Sequence, residues 1–256
     1  MSTQRPAAVW ESIIADAQAQ GRPVSVETVC HTCARTLDAH GVAVALTGPP
    51  MGYEPLCASS PAAYQVMEAH ATVGEGPAIT ALADQRPVLA PDLADPETLR
   101  RWPVFAPAAL EAGAQALFAL PMMLGAISVG VLEISRARAG WLSPDDLADA
   151  LTFAHIALLV HIQHSHGANG ALSGMPATHA SLIDGALIDG ASLERGTGEH
   201  WAQVHQATGM IAVQSGVDLR TAFVQLRAHA FAADRSLLQV AADVVARRLR
   251  FPVEPE

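Results

Sequence analysis

The sequence contains no lysine: all fifteen of its basic residues are arginine. Aromatic residues make up 5% and charged residues 16% of its 256 positions, and there are only three cysteines. Each shortage excludes something. Cys30, Cys33 and Cys57 are too few, and odd in number, for a disulfide framework. Cys30 and Cys33 have CxxC spacing, but no second pair completes a zinc site. The helical periodicity of residues 25–40 puts both thiols near one face of a helix, where small buried cysteines are common core residues. No apolar run approaches the ~20 residues that span a bilayer. The longest, Phe153 to Ile162, is interrupted by His155 and His161. The opening stretch MSTQRPAAVWESIIADAQAQ carries Glu11 and Asp16 and no apolar segment of a signal peptide. A cytoplasmic protein without a membrane partner is expected. The arginine-only basic set, beside abundant alanine, reads as coding bias and not as tuning of individual sites.

Half of the residues are hydrophobic, so the chain is globular and long enough for one large or two modest domains. Its net charge of −10 is unevenly spread. Residues 201–251 hold six arginines against three aspartates, whereas residues 1–200 hold nine against twenty acidic residues. An acidic body with a basic tail suggests two units with different partners. Between them, residues 164–200 are rich in glycine, serine and alanine and contain a near-repeat, Leu-Ile-Asp-Gly at 182–185 and 187–190. This composition predicts a flexible linker over 166–198, with a short helical piece near 178–195. The expected division is an N-terminal helical extension (1–24), a first domain (25–165), the linker, and a C-terminal domain (199–251).

The first domain mixes helix and strand patterns. VAVALT (42–47) and PLCAS (55–59) read as a hairpin across the Gly48–Gly52 turn. Residues 60–72 and 74–85 read as helices, and 87–94 as a strand and its exit. ALFALPMML (116–124) and ISVGVLEISRA (127–137) are strong strands meeting at Gly125-Ala126. Ser143 is a predicted N-cap, with Pro144 at the first helical position and Asp145 and Asp146 favouring the helix dipole.

The run VGEGPAITALADQRPVLAPDLAD (73–95), then RRWPVFAPAALEAGAQALFALPMMLGAISVGVLEISR (100–136), then LSPDDLADALTFAHIA (142–157), resembles a GAF domain of the actinobacterial regulator type. The co-linear resemblance covers roughly 25–165. It implies an α+β fold, a PAS-like antiparallel sheet with flanking helices, and a small-ligand pocket between sheet and loops. Candidate pocket residues are Glu75, Asp92, Trp102 and Glu133. Their competing structural roles are a turn cap for Asp92, loop packing for Trp102 and a solvent-facing strand position for Glu133. No cofactor is implied, and no Cys-His pair suits a haem, metal or tetrapyrrole. Cys57 lacks activating neighbours in sequence.

The C-terminal domain holds three helical patterns. Trp201, Val204, Ala207 and Ile211 lie on one side of the first. The second starts at the N-cap Asp218 and buries Ala222, Phe223, Leu226 and Ala230. The third starts at Ser236 and places Leu237, Val240, Ala241, Val244, Val245 and Leu249 inward. A bundle this small benefits from a partner surface.

The segment VHQATGMIAVQSGVDLRTAFVQLRAHAFAADRSLLQVAADVVARRL, Val204 to Leu249, resembles an ANTAR domain in its small-residue first helix, its Ala222/Leu226/Arg227/Ala230 run and Ala241. The resemblance implies a dimer that binds paired RNA hairpins, blocks a terminator hairpin and lets transcription continue. Many family members carry Lys before the first-helix glycine; here that position is Thr208. The expected RNA contacts are Gln206, Thr208, Gln214, Arg227, His229 and Arg235, through hydrogen bonds and phosphate contacts. Gly209 costs about 1 kcal/mol in a helix, which a close approach of RNA or another helix at Ala207, Thr208 and Gly209 would explain. Arg247, Arg248 and Arg250 read as complements to a helix C-terminus.

The leading expectation is therefore a transcription antiterminator: RNA as partner, a homodimer, and a GAF-like domain that senses a ligand or mediates dimerisation. The helix from 143 to 165, with His161, His164 and His166 at an exposed end, is the expected dimer seam. The alternative is a DNA-binding transcription factor, although no helix bears a dense base-reading face. An enzyme is not expected: there is no triad, metal cluster or phosphate loop, and GEGP (74–77) is too short for a dinucleotide fingerprint.

Overall fold

The computed structural model describes residues 4–48, 51–169 and 197–251. The expected near-repeat, the helical piece near 178–195 and Pro49-Pro50 of the hairpin turn lie outside the described residues.

Five antiparallel strands form one sheet: β1 (Gly41–Leu46), β2 (Glu54–Ala58), β3 (Val88–Ala90), β4 (Ala116–Leu124) and β5 (Ile127–Arg136), in the order β2-β1-β5-β4-β3. The two long hydrophobic runs pair as β4 and β5, with Ala119 opposite Glu133. β1 and most of β5 are buried continuously, with no alternation of exposed positions. Both faces of the sheet are covered, and this hides the period-two signal that a half-exposed strand would show.

The first face carries Val42, Val44, Phe118, Leu120, Leu132 and Ile134. It is covered by α1 (Gln4–Ala19), α2 (Val26–Thr36) and α7 (Pro144–Asn169). Ser25 caps α2 by accepting from Thr28 N, and Ser143 Oγ accepts from Asp146 N at 3.0 Å at the start of α7. Arg5 ties α1 to α7 through Asp145 and Asp149, each at 2.6 Å. The apolar face of α7, Phe153 to Val160, is thus packed within its own chain, and His164 is buried with Nδ1 2.7 Å from Val160 O. The expected exposed histidine end is corrected on this point: the side chain of His164 is inside. Cys30 and Cys33 are buried in this layer, and burial raises both thiol pKa values above the ordinary range. Cys57, which has no sequence neighbour to activate it, has its Sγ 3.0 Å from that of Cys30.

The second face is lined by small residues, among them Ala43, Ala45 and Ala119, with Leu117 and Val131. It is covered by α3 (Pro61–Val73), α4 (Pro77–Asp84) and α6 (Phe105–Glu111), with α5 (Pro96–Arg101) leading into α6. α5 and α6 have no counterpart among the expected elements. α5 is capped by Asp95, which accepts from Glu97 N and Thr98 N, whereas the start of α6 depends on a distant group: Glu75 Oε1 accepts from Val104 N and Phe105 N at 2.8 and 2.9 Å.

The C-terminal helices are α8 (Thr197–Ser215), α9 (Leu219–Ala232) and α10 (Leu237–Val245). Asp218 and Ser236 cap α9 and α10 as their positions predict. The predicted stripes are buried at Trp201, Val204, Ala207 and Ile211, at Ala222, Phe223, Leu226 and Ala230, and at Leu237, Val240, Ala241 and Val244, whereas Val245 and Leu249 of the third are only partly buried. These residues join the same apolar cluster as the second face of the sheet, so the bundle packs on the first domain and not only on itself.

Candidate functional site

Glu133 is the buried acid of the second sheet face, at 2% exposure. It sits between Ala43 on β1 and Ala119 on β4, and these small neighbours leave room for a carboxylate. Tyr53 Oη donates to Glu133 Oε1, and His70 Nδ1 lies 2.9 Å from Glu133 Oε2. Ala78 N donates to His70 Nε2 at 3.3 Å, so Nε2 is the ring's acceptor and the proton of the neutral ring is on Nδ1. The His70 ring stacks on Phe105 at 3.9 Å. Gly76, at φ +120, closes over this stack: a Cβ there would lie 2.6 Å from His70 and 2.8 Å from Phe105. Burial, and then the charge of Glu133, raises the Tyr53 hydroxyl well above its ordinary pKa. Glu133 is therefore not a solvent-facing strand residue, and Tyr53 and His70 were not singled out by sequence. His70 reads in sequence as one more polar position of an amphipathic helix; only the sheet register brings it to Glu133.

Beside this network is a cavity of about 300 Å³, whose walls include Tyr53, His70, Ile79 and Leu82 from the first domain and Phe223 and Arg227 from α9. None of the four expected pocket residues lines it. Glu75 caps α6. Asp92 Oδ1 accepts from Ala94 N at 2.9 Å, forming a turn. Trp102 is buried and donates Nε1–H to Thr80 Oγ1 at 3.2 Å. Glu133 lies behind the cavity and holds two of its wall residues.

The expected RNA contacts disperse. Gln206 is exposed on α8. Thr208 is buried at 1% and donates its hydroxyl proton to Val204 O at 2.7 Å, so it faces inward. Gln214 Oε1 accepts from Phe251 N at 3.0 Å, and His229 meets the Phe251 ring edge-on at 5.4 Å. Arg235 pairs with Asp243 at 2.7 Å. Arg227 turns toward the first domain, where its Nε–H donates to Thr72 O at 3.1 Å. Arg227 and His229 are two residues apart on α9, so they point to different sides and do not form the expected cluster with Arg235. Gly209 is open: a Cβ there would meet nothing within 4 Å. Exposed cations of the bundle that the candidate set omits are Arg220, Arg247, Arg248 and Arg250, of which Arg248 pairs with Asp243 at 2.6 Å.

These features define a class: a five-stranded antiparallel α+β domain joined to a helical bundle of three helices, with a cavity between the two. The chain belongs to the GAF domain family, whose model matches residues 21–159, more than half of its length. The ANTAR domain model matches residues 196–245, which spans the bundle. No curated protein matches the chain. Among solved structures it is similar to the GAF domain of an Acinetobacter phosphoenolpyruvate-protein phosphotransferase, with 14% identity, coverage of 67% of this chain and 100% of that one, and a TM-score of 0.47. The corresponding Coxiella burnetii domain gives 15%, 67%, 100% and 0.47. A type II free methionine-R-sulfoxide reductase from Thermoplasma acidophilum gives 15%, 60%, 96% and 0.34. Among the described residues, no helix is long and apolar enough to cross a membrane.

Proposed function

We propose that the chain is a transcription regulator that binds RNA hairpins through its C-terminal bundle and prevents a terminator from forming, under control of the GAF domain. The observation that carries this reading is the ANTAR match over 196–245, which falls on a well-capped three-helix bundle. The surface chemistry supports it. α8 presents Gln206, the open Gly209 and Val213, which is 85% exposed, at spacings that put them on one side. An amide, a gap and an apolar side chain suit unpaired bases, which proteins read by hydrogen bonds and stacking. Exposed Arg220, Arg247 and Arg250 supply charge for phosphates. Gln206 stays in the proposed contact set. Thr208 serves the helix interior, so the missing family lysine leaves no polar side chain in its place. Gln214, His229 and Arg235 contribute by fixing the bundle's ends.

In the same reading the cavity beside Tyr53 and His70 is where a small ligand of the GAF domain binds, and the working unit is a cytoplasmic homodimer. The reading assigns a regulatory and not a catalytic role to both domains. An in vitro transcription assay tests the function. On a template with a paired-hairpin leader and terminator, added protein increases read-through. Unchanged read-through, with the protein folded and in excess over template, contradicts the proposal.

A further inference from the structure

The bundle is docked on the GAF domain by its own leading RNA-contact candidate. Arg227 crosses from α9 to the C-terminal end of α3, where its Nε–H donates to Thr72 O at 3.1 Å. The guanidinium lies directly over Gly74, the left-handed C-cap of α3 at φ +74. A Cβ at Gly74 would fall 1.4 Å from Arg227 Nη2, so a side chain there displaces the guanidinium from its docked position. A second contact pairs His205 Nε2 on α8 with Glu54 Oε1 on β2 at 2.9 Å. Apolar packing completes the seam, with Phe223 and Arg227 walling the cavity that Tyr53 and His70 wall from the other side.

The way Arg227 is held is informative. It is partly buried, and burial draws its pKa below the ordinary arginine value. It is held by one carbonyl, by the negative end of the α3 dipole and by the Phe223 ring, whose centroid is 5.8 Å from the guanidinium carbon. Among the described residues, no carboxylate is within hydrogen-bond or ion-pair reach of it. A cation held by a helix end is bound more weakly than one in a bidentate pair with a carboxylate or phosphate. It is stable enough to dock the bundle and weak enough to be given up to RNA.

We propose that Arg227 is shared between two mutually exclusive sites: docked, it closes the GAF cavity; released, it contacts RNA phosphate. The docked arrangement is then the form with reduced RNA affinity. The cavity occupant acts on this equilibrium, because the cavity is walled by both domains, by Tyr53 and His70 on one side and by Phe223 and Arg227 on the other. This inference rests on the RNA-binding reading above, and its test separates the two.

The full chain is prepared as the E54C/H205C variant, and the new thiols are bridged with a short bis-maleimide; the native cysteines are buried. The control is the same variant capped at each thiol by N-ethylmaleimide. A second arm carries Gly74→Ala, which alters only the GAF side and is checked for undocking by its lower bridging yield in the E54C/H205C background. Binding of a paired-hairpin RNA is read by fluorescence anisotropy. The expected result is that bridged protein binds about tenfold more weakly than capped protein, and G74A about tenfold more tightly than wild type, the scale of ordinary allosteric coupling. Equal affinity of bridged and capped protein overturns the proposal while leaving the RNA reading standing. So does a G74A protein that is undocked but unchanged in affinity. No binding by any form, the undocked one included, overturns both.

Discussion

At the residue scale, each group at the site has a partner that sequence spacing does not reveal. Glu133 is the clearest case. In sequence it is one acid in a strand, and alternation leaves its side undecided because β5 is covered on both faces. In the fold one of its oxygens accepts from Tyr53 and the other lies 2.9 Å from His70 Nδ1. Substituting Glu133→Ala strips the Tyr53 hydroxyl of its acceptor and His70 Nδ1 of its neighbouring carboxylate in a buried setting, and the expected loss is about 2–3 kcal/mol, read by urea unfolding. A loss under about 1 kcal/mol would mean the network is solvated. Gly209 makes a prediction of opposite sign. Its Cβ position is empty, so Gly209→Ala stabilises the bundle by up to about 1 kcal/mol, seen as a higher thermal midpoint. Hairpin-RNA affinity falls in the same variant if the gap serves close approach. A variant that gains stability and keeps its affinity would leave Gly209 without that role.

At the element scale, helix starts and buried stripes were legible and the connections were not. Ser60, Ser143, Asp218 and Ser236 act as N-caps, because a short oxygen-bearing side chain before an apolar run has one favourable use. α5 and α6 were missed. They are short, α5 has no buried residue, and the N-terminus of α6 is satisfied by Glu75 from a segment thirty residues away. Ser236→Ala costs about 1 kcal/mol through loss of the bond to Gln239 N, measurable by chemical unfolding. The end of α7 carries a pH prediction. Burial, and then His164, lowers the pKa of His161 from 6.5. A histidine with a depressed folded pKa favours the native state fully above its unfolded value. That contribution is lost as pH falls through the folded value. Unfolding free energy should therefore drop from pH 6.5 downward, and His161→Gln should flatten this part of the profile. An unchanged slope in the variant would assign the effect elsewhere.

At the scale of the whole molecule, the two units were recognisable from charge asymmetry and co-linear resemblance, whereas their contact was not. Nothing local marks Arg227 as a docking residue; it sits in the run that best resembles an RNA-binding helix. The partner atoms, Thr72 O and the space over Gly74, are a backbone carbonyl and an absent side chain, and neither leaves a sequence signal. The expected use of α7 as a dimer seam meets a similar limit, since its apolar residues cover the sheet of their own chain. A homodimer, expected from the bundle's resemblance, is checked by light scattering of the full chain; a strict monomer at micromolar concentration would contradict it. The central claim is that the bundle reads RNA hairpins and not duplex DNA. Its most direct test is a competition measurement, in which the full chain is bound to a labelled paired-hairpin RNA and titrated with either unlabelled hairpin or duplex DNA of equal length at one fixed salt concentration. The account predicts displacement by the hairpin at far lower concentration than by the duplex, and equal or stronger displacement by the duplex would contradict it.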